Sequence, residues 1–359
     1  MKFSDIAIAR LLSQQIESSK FKSAKQLVSY MGAIQAQDYA MAKFAVGLRL
    51  QYATGKKIEK AIHNGEIIRT HLMRPTWHFV AADDIYWMLE LTAPQMIAGV
   101  KSRHKFLGLT ETIIFKANNI IEKSLRDGNH LTREELMQIL SKAKIPTEKE
   151  MPVHIMYRAE TDGIACSGRI KNNKQTYALL AERVPKNKTI TKDDALALLA
   201  KKYFTSHCPA TLKDFIWWSG LPVKDATHAL EMIKKNFSAE KINNEIYWLP
   251  DSFVVPKLQK DSVHLLPAYD EFLISYKNRT ASLLPEHQKN TLSANGIFWP
   301  IIVVNGNVIG KWKRSVLNKK LLIETEFFTP KNKAILSLIQ EKAKDFGKFL
   351  GNKSELIIQ

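Results

Sequence analysis

The chain has 359 residues, 45% of them hydrophobic, and its 53 lysines and arginines exceed its 35 aspartates and glutamates to give a formal charge of +18. That length exceeds one ordinary core and predicts two or three units, and a basic excess spread along the whole chain predicts a polyanionic partner, of which nucleic acid is the usual one. No apolar run reaches the ~18 residues of a membrane span and the opening Met-Lys-Phe-Ser-Asp-Ile has no signal-peptide core, so no membrane association and a cytoplasmic location are expected.

In chain order, Asp5 to Ile16 places Ile8, Leu11, Leu12 and Ile16 at helical spacing. Ser23 stands as the cap of a helix from Ala24 to Met31. The stretch Gly32-Ala-Ile-Gln-Ala-Gln-Asp-Tyr-Ala40 follows, and it carries the most unusual chemistry in the chain. Gln35 and Gln37 lie two apart at a non-helical junction, where an extended backbone turns both side chains to one side. Two primary amides so placed can hold one water, each offering an acceptor oxygen and two N–H donors. The other reading is a pair of solvated surface glutamines. Asp38 reads as the N-cap of the next helix, Tyr39 to about Tyr52, with Met41, Phe44, Ala45 and Leu48 on one face.

Lys56 to Asn64 predicts a short helix ended by Gly65, and Ile67 to Ala81 alternates as a β-hairpin with Arg74-Pro75 near its turn. Helices followed by a hairpin is the order of a winged helix, whose recognition helix enters the major groove of DNA. The order returns twice. Thr110 to Arg126, the capping box Thr132-Arg-Glu-Glu135 opening Leu136 to Ser141, and Glu148 to Asp162 predict helices. The hairpin Ile164 to Val184 then turns at Asn172-Asn173. Helices over 191–204, 211–218 and about 222–236 precede a hairpin from Glu240 to Leu249 that turns at Asn243-Asn244.

Beyond Pro256 the pattern becomes β: Val263 to Leu266, a hairpin Ile301 to Gly310 about the Asn305-Gly306 turn, Lys311 to Arg314 extending it, and Leu321 to Phe328. A last helix, Lys331 to Phe346, is expected to stop at Gly347, and the proline-bearing stretch near 250–262 reads as a linker. The predicted architecture is mainly α with β-hairpins: three tandem winged helices (1–105, 106–188 and 189–255) and a β-rich C-terminal region with a final helix (256–359).

Two basic elements are candidates for DNA contact. Arg69, Arg74 and His78 lie with Trp77 along the first hairpin, and Lys311, Lys313 and Arg314 flank Trp312. Each set reads equally as a solvated strand face. Trp217-Trp218 suggests base stacking, but neighbours on a helix point to different faces, so at least one belongs to the core. His71 and His78 are candidate general bases or structural histidines. Asp270-Glu271 is a candidate carboxylate site or a cap and ion pair. Cys166 and Cys208 stand too far apart in sequence for a metal-ligand pair, and no phosphate loop, nucleophile elbow or zinc-binding spacing is present. A reduced protein without disulfides, metal or cofactor is therefore expected.

Gln35-Ala-Gln37-Asp38, then Arg69-Thr-His-Leu-Met-Arg74-Pro-Thr-Trp-His78-Phe-Val-Ala-Ala-Asp-Asp84, then Leu265-Leu-Pro-Ala-Tyr-Asp270-Glu-Phe-Leu, in that order, resemble the AlkZ-like family of bacterial DNA glycosylases, also described as tandem winged-helix DNA-binding proteins. The resemblance runs from about Ile8 to Arg314, and the last forty or so residues match less clearly. In that family a Gln-x-Gln motif is catalytic and a sister branch carries aspartate at the second position; Gln37 places this chain in the Gln-x-Gln branch. The resemblance implies removal of alkylated purines, bulky or crosslinked adducts included, from double-stranded DNA, by a protein expected to act as a monomer. The residue type agrees. A neutral amide is a poor base, so Gln35 and Gln37 suit water placement at a base that is already cationic and departs without protonation. A non-catalytic winged-helix transcription regulator is the competing expectation, since fold alone does not decide function.

Overall fold

The computed structural model describes all residues except 187–188, 256–260, 318–319, 331, 353 and 359. One order of elements occurs three times. In the first repeat, helix Ala24–Met31 leads to strand Ala33–Gln35, helices Tyr39–Gly47 and Gly55–His63, and the hairpin Ile67–Leu72/Arg74–Ala81. The short strand pairs antiparallel with the second hairpin strand. The second repeat has helix Glu111–Leu125, strand Leu131–Thr132, helices Arg133–Lys142 and Met151–Thr161, and strands Ala165–Ser167 and Thr176–Leu179 in the same sheet order. In the third, helix Lys192–Ser206 precedes helices Leu212–Ser219 and Val223–Ile233 and the hairpin Phe237–Ile242/Glu245–Pro250. There the short strand is reduced to one bridge, Ala210 to Trp248.

The expected local signals form. Ser23 Oγ accepts from Gln26 N, and Thr132 and Glu135 make the reciprocal capping box. Asn172-Asn173, Asn243-Asn244 and Asn305-Gly306 all take positive φ at tight turns. Several expectations need correction. The helix Ile85–Leu107 is absent from them; it runs on through Pro94, which the structure accommodates within a continuous helix. Leu180–Arg183 is a helical turn, not the end of a strand. Gly347 does not stop the last helix, which runs Lys333–Leu350 and is capped by Gly351 at φ 74°. The expected start at Lys331 and the linker segment 256–260 lie outside the described residues.

The C-terminal region is a five-stranded sheet in the order Ser354–Ile358, Lys320–Phe327, Asn307–Leu317, Ile301–Val304, Val263–Leu266. The last strand of the chain, not anticipated, pairs parallel with Lys320–Phe327.

The first repeat sits between the others, and this sets the environment of the glutamine pair. Directly paired residues in an antiparallel sheet share a face. Ala33, Val80 and Ile68 form one row, and they join Trp218, Tyr203 and Phe215 of the third repeat in one core. Ile34 and Phe79 face the other way, into a core shared with the repeat's own helices and with Trp312, Ile339 and Phe346 of the C-terminal region. Strand Ala33–Gln35 is therefore buried on both faces.

Candidate active site

The strand ends at Gln35, and one residue later Ala36 N donates to Trp77 O at 2.7 Å. The chain then turns into helix Tyr39–Gly47, whose cap is Asp38, with Oδ1 accepting from Met41 N at 3.0 Å. Within this turn Gln35 Oε1 accepts from Gln37 N at 3.1 Å. Gln35 is 3% exposed and Gln37 lies at the surface. The pair thus joins a buried amide to an accessible one.

The backbone beneath Gln35 is held by a carboxylate 236 residues away. Glu271 Oε1 accepts Gln35 N at 2.6 Å, while Oε2 accepts Trp218 Nε1 at 3.2 Å and the Ser275 hydroxyl, with His207 Nε2 3.7 Å away. Burial pushes the Glu271 carboxyl up, but the neighbouring His207 and the hydrogen bonds from Ser275 and Gln35 N outweigh it and hold it at about 2. Glu271 is therefore a buried anion at neutral pH. Its neighbour Asp270 caps the helix Glu271–Ile274 and grips Arg49 in two hydrogen bonds of 2.7 and 2.9 Å, both side chains buried. Gln14 joins this network, accepting from Arg49 Nη2 and donating to Glu271 O. Of the two sequence readings of Asp270-Glu271, cap and ion pair is the one realised by Asp270. Glu271 does something else: it anchors the glutamine strand.

The candidates on the first hairpin separate by face. Gln35 is opposite His78, and His78 is opposite Thr70. Thr76 and Arg74 continue that face at spacing two along the same strand. His78 is fully buried; burial and the Arg74 charge push its imidazole down to about 3. Nδ1 lies 3.0 Å from Thr76 O, so it carries the proton and donates to that carbonyl. His78 Nε2, Thr70 Oγ1, Thr76 Oγ1, and Arg74 Nε and Nη2 are buried without a hydrogen-bond partner. Burial lowers the Arg74 guanidinium pKa, and the Glu271 charge opposes this.

The remaining hairpin candidates turn away. Arg69 is buried, with Nε donating to Ala36 O at 3.0 Å and its guanidinium 4.5 Å from the Trp77 ring centroid. Trp77 Nε1 and His71 both bond Glu160 of the second repeat. As DNA contacts, Arg69 and His78 are corrected: both are interior side chains, and His71 serves the interface with the second repeat. Trp312 is corrected likewise. It is 2% exposed, packs against Phe44 and Phe346, and donates to Leu266 O at 2.9 Å. Strand alternation turns it inward and sends Lys311 and Lys313 to the opposite face, where they pair with Glu326 and Glu324. Arg314 lies 5.9 Å from the Phe346 ring.

Trp217 and Trp218 divide as adjacent helix residues must. Trp218 is buried against Gly32 and Glu271, while Trp217 is half-buried with Arg74, Lys277 and Arg279 within 6 Å of its ring. Lys277 and Arg279 escape sequence reading, which has no signal to bring residue 277 beside residue 74. Among the described residues, no group of three or more His, Cys, Asp or Glu is placed to hold a metal, and no helix is long and apolar enough to cross a membrane.

The model of the family described as DNA glycosylase AlkZ-like matches residues 28–349. A curated relative, the interstrand DNA cross-link repair glycosylase of Streptomyces sahachiroi, is 22% identical over 332 residues, covering 88% of either chain. The solved structure of Streptomyces sahachiroi DNA glycosylase AlkZ superimposes with a TM-score of 0.82 over 100% of both chains at 19% identity, which shows a shared fold.

Proposed function

Since the chain belongs to the AlkZ-like DNA glycosylase family, we propose that it excises cationic alkylated purines from double-stranded DNA by water attack on the N-glycosidic bond. The observation that carries this reading is Gln35 and Gln37 at the mouth of a turn, their strand anchored by the buried anion Glu271. An alkylated purine already bears the positive charge that acid catalysis would otherwise supply. Its bond to C1′ breaks with the electron pair leaving to the base, which departs neutral, and the sugar becomes an oxocarbenium ion. Water then bonds to C1′, and the resulting oxonium loses its proton to solvent. The work left to the protein is placement of the water and an environment tolerant of a cation. Two amides serve the first; near-attack placement supplies up to about 7–11 kcal/mol. The Glu271 carboxylate serves the second through its charge in a water-poor interior.

In this reading the three repeats are winged helices, with limits at 1–105, 106–188 and 189–255, and 256–359 forms the cap. The recurring order of helix, strand, two helices and hairpin supports it. The relative's activity on interstrand crosslinks suggests that bulky and crosslinked adducts belong to the substrate class, and the protein acts as a monomer. Half-buried Trp217 with its cations and, on the last sheet, Lys311 and Lys313 supply the DNA surface, with Arg314 on the other face of that strand beside Phe346. A regulator has no use for a charge-anchored amide pair, so the catalytic reading is preferred. The test is a duplex with one N7-alkylguanine, assayed for free base and an abasic site beside an undamaged duplex. Release from the lesion alone supports the proposal; binding without release supports the regulator.

A further inference from the structure

One face of the first sheet changes character along its length. Ala33, Val80 and Ile68 are apolar core, but the next row on that face is Gln35, His78 and Thr70, with Thr76 and Arg74 beyond. Four of these five side chains hold buried polar atoms with no partner in the protein. Each such atom destabilises the fold, and native structures hold few of them, so a cluster on one face beside Gln35 marks a place for a polar ligand. His78 is the most defined of the four. Its ring is fixed by Nδ1–H donating to Thr76 O, which leaves Nε2 a bare lone pair.

Resting on the glycosylase reading above, we propose that His78 is a further catalytic residue, its Nε2 accepting a hydrogen bond from the attacking water beside Gln35 and taking no proton from it before the C1′–O bond forms. Thr70 and Arg74 complete the shell: Thr70 as donor or acceptor, Arg74 as donor only. The water donates one hydrogen to His78 and one to an amide oxygen, so a lone pair faces C1′. Its proton leaves to solvent only after the C1′–O bond has formed. The charges around the ring favour an acceptor over a base. Arg74 and His71 disfavour a second proton, Glu271 and Thr76 O favour it, and burial outweighs both, holding the ring neutral.

The test uses the full chain and three readouts. His78→Gln keeps an acceptor near the Nε2 position, and His78→Asn reaches only as far as Nδ1. Under single turnover on an N7-alkylguanine duplex, His78→Asn should lose about 10- to 100-fold in base release, the cost of one hydrogen bond to the reacting atoms. His78→Gln should recover most of this, with lesion-DNA Kd for either variant within about threefold of the parent. The parent's rate should be level from about pH 5.5 to 8 in any step due to His78. Independently of activity, the imidazole ¹⁵N shifts of the free protein should show a protonated Nδ1 and a bare Nε2. Full activity in a folded His78→Asn overturns the proposal, as does a protonated Nε2. An acid limb near pH 6.5 that His78→Gln abolishes overturns it in favour of a general base. A parent that releases no base while its Nε2 is bare refutes the glycosylase reading, and with it the catalytic role of this ring.

Discussion

Gln35 and Gln37 differ in their surroundings, and their variants should differ accordingly. Gln37 is exposed, so Gln37→Ala should cut excision and leave lesion binding and folding intact. Gln35 Oε1 also holds Gln37 N, so Gln35→Ala should cut excision and loosen the turn as well. The double variant should lose less than the product of the singles if, as proposed, both amides serve one water. Asp38→Ala should instead lower stability by about 1 kcal/mol through loss of its cap, measured by denaturant melt. Acid should act through named groups. The His78 imidazole titrates at 6.5 when free and near 3 in the fold, so its contribution is complete above about 6.5 and is lost as pH falls toward 3. Glu271, at about 2 against 4.5, contributes fully above 4.5 and loses it as pH falls toward 2. Melting temperature against pH should therefore decline in both windows, and His78→Gln should make the first decline shallower.

At the scale of elements, what the sequence revealed was local, and what it hid was tertiary. Caps at Ser23, Asp38 and Thr132 and the three asparagine turns depend on neighbours a few residues away, and all are formed. Trp312, read as a DNA-contact candidate, was missed: Lys311-Trp312-Lys313 on a strand cannot show all three side chains to one partner, and packing on Phe346 decides that the tryptophan is the one inside. The Trp217-Trp218 division follows from the same kind of argument. Gly347 misleads because Phe349, beyond it, packs on Phe44, and that contact keeps the helix going to Leu350. Nothing local links Glu271 to Gln35, since only the packing of the C-terminal region on the first sheet brings them together. A second test belongs here. Gly306, at φ 80°, lies so close to the N-terminal helix Asp5–Ser13 that a Cβ would come 2.7 Å from Ala7 Cβ. Gly306→Ala should destabilise by about 1–3 kcal/mol, from backbone strain and from that collision, while Asn307→Ala in the next position should cost far less.

Across the whole molecule, one buried ion pair ties the first repeat to the C-terminal region. Removing Arg49 strands Asp270 in the interior and also frees Gln14 from its place beside Glu271. Arg49→Ala should cost about 3–5 kcal/mol in a urea melt. The +18 charge should make affinity for undamaged duplex fall with salt at a slope of about −0.9 per phosphate neutralised. Charge reversal at Lys311, Lys313 and Arg314 should flatten that slope if these residues meet DNA, and a salt-independent affinity would remove the DNA surface altogether. The central claim, that the amide pair places water for base release, is tested most directly by single-turnover excision of N7-alkylguanine from a duplex by Gln37→Leu and Asp38→Asn. Gln37→Leu matches the amide in bulk and cannot hydrogen-bond, so it should bind lesion DNA as the parent does and release little base, while Asp38→Asn, still able to cap, should remain active. Full excision by Gln37→Leu, with Asp38→Asn folded but inert, would contradict the account and make Asp38 the catalytic residue.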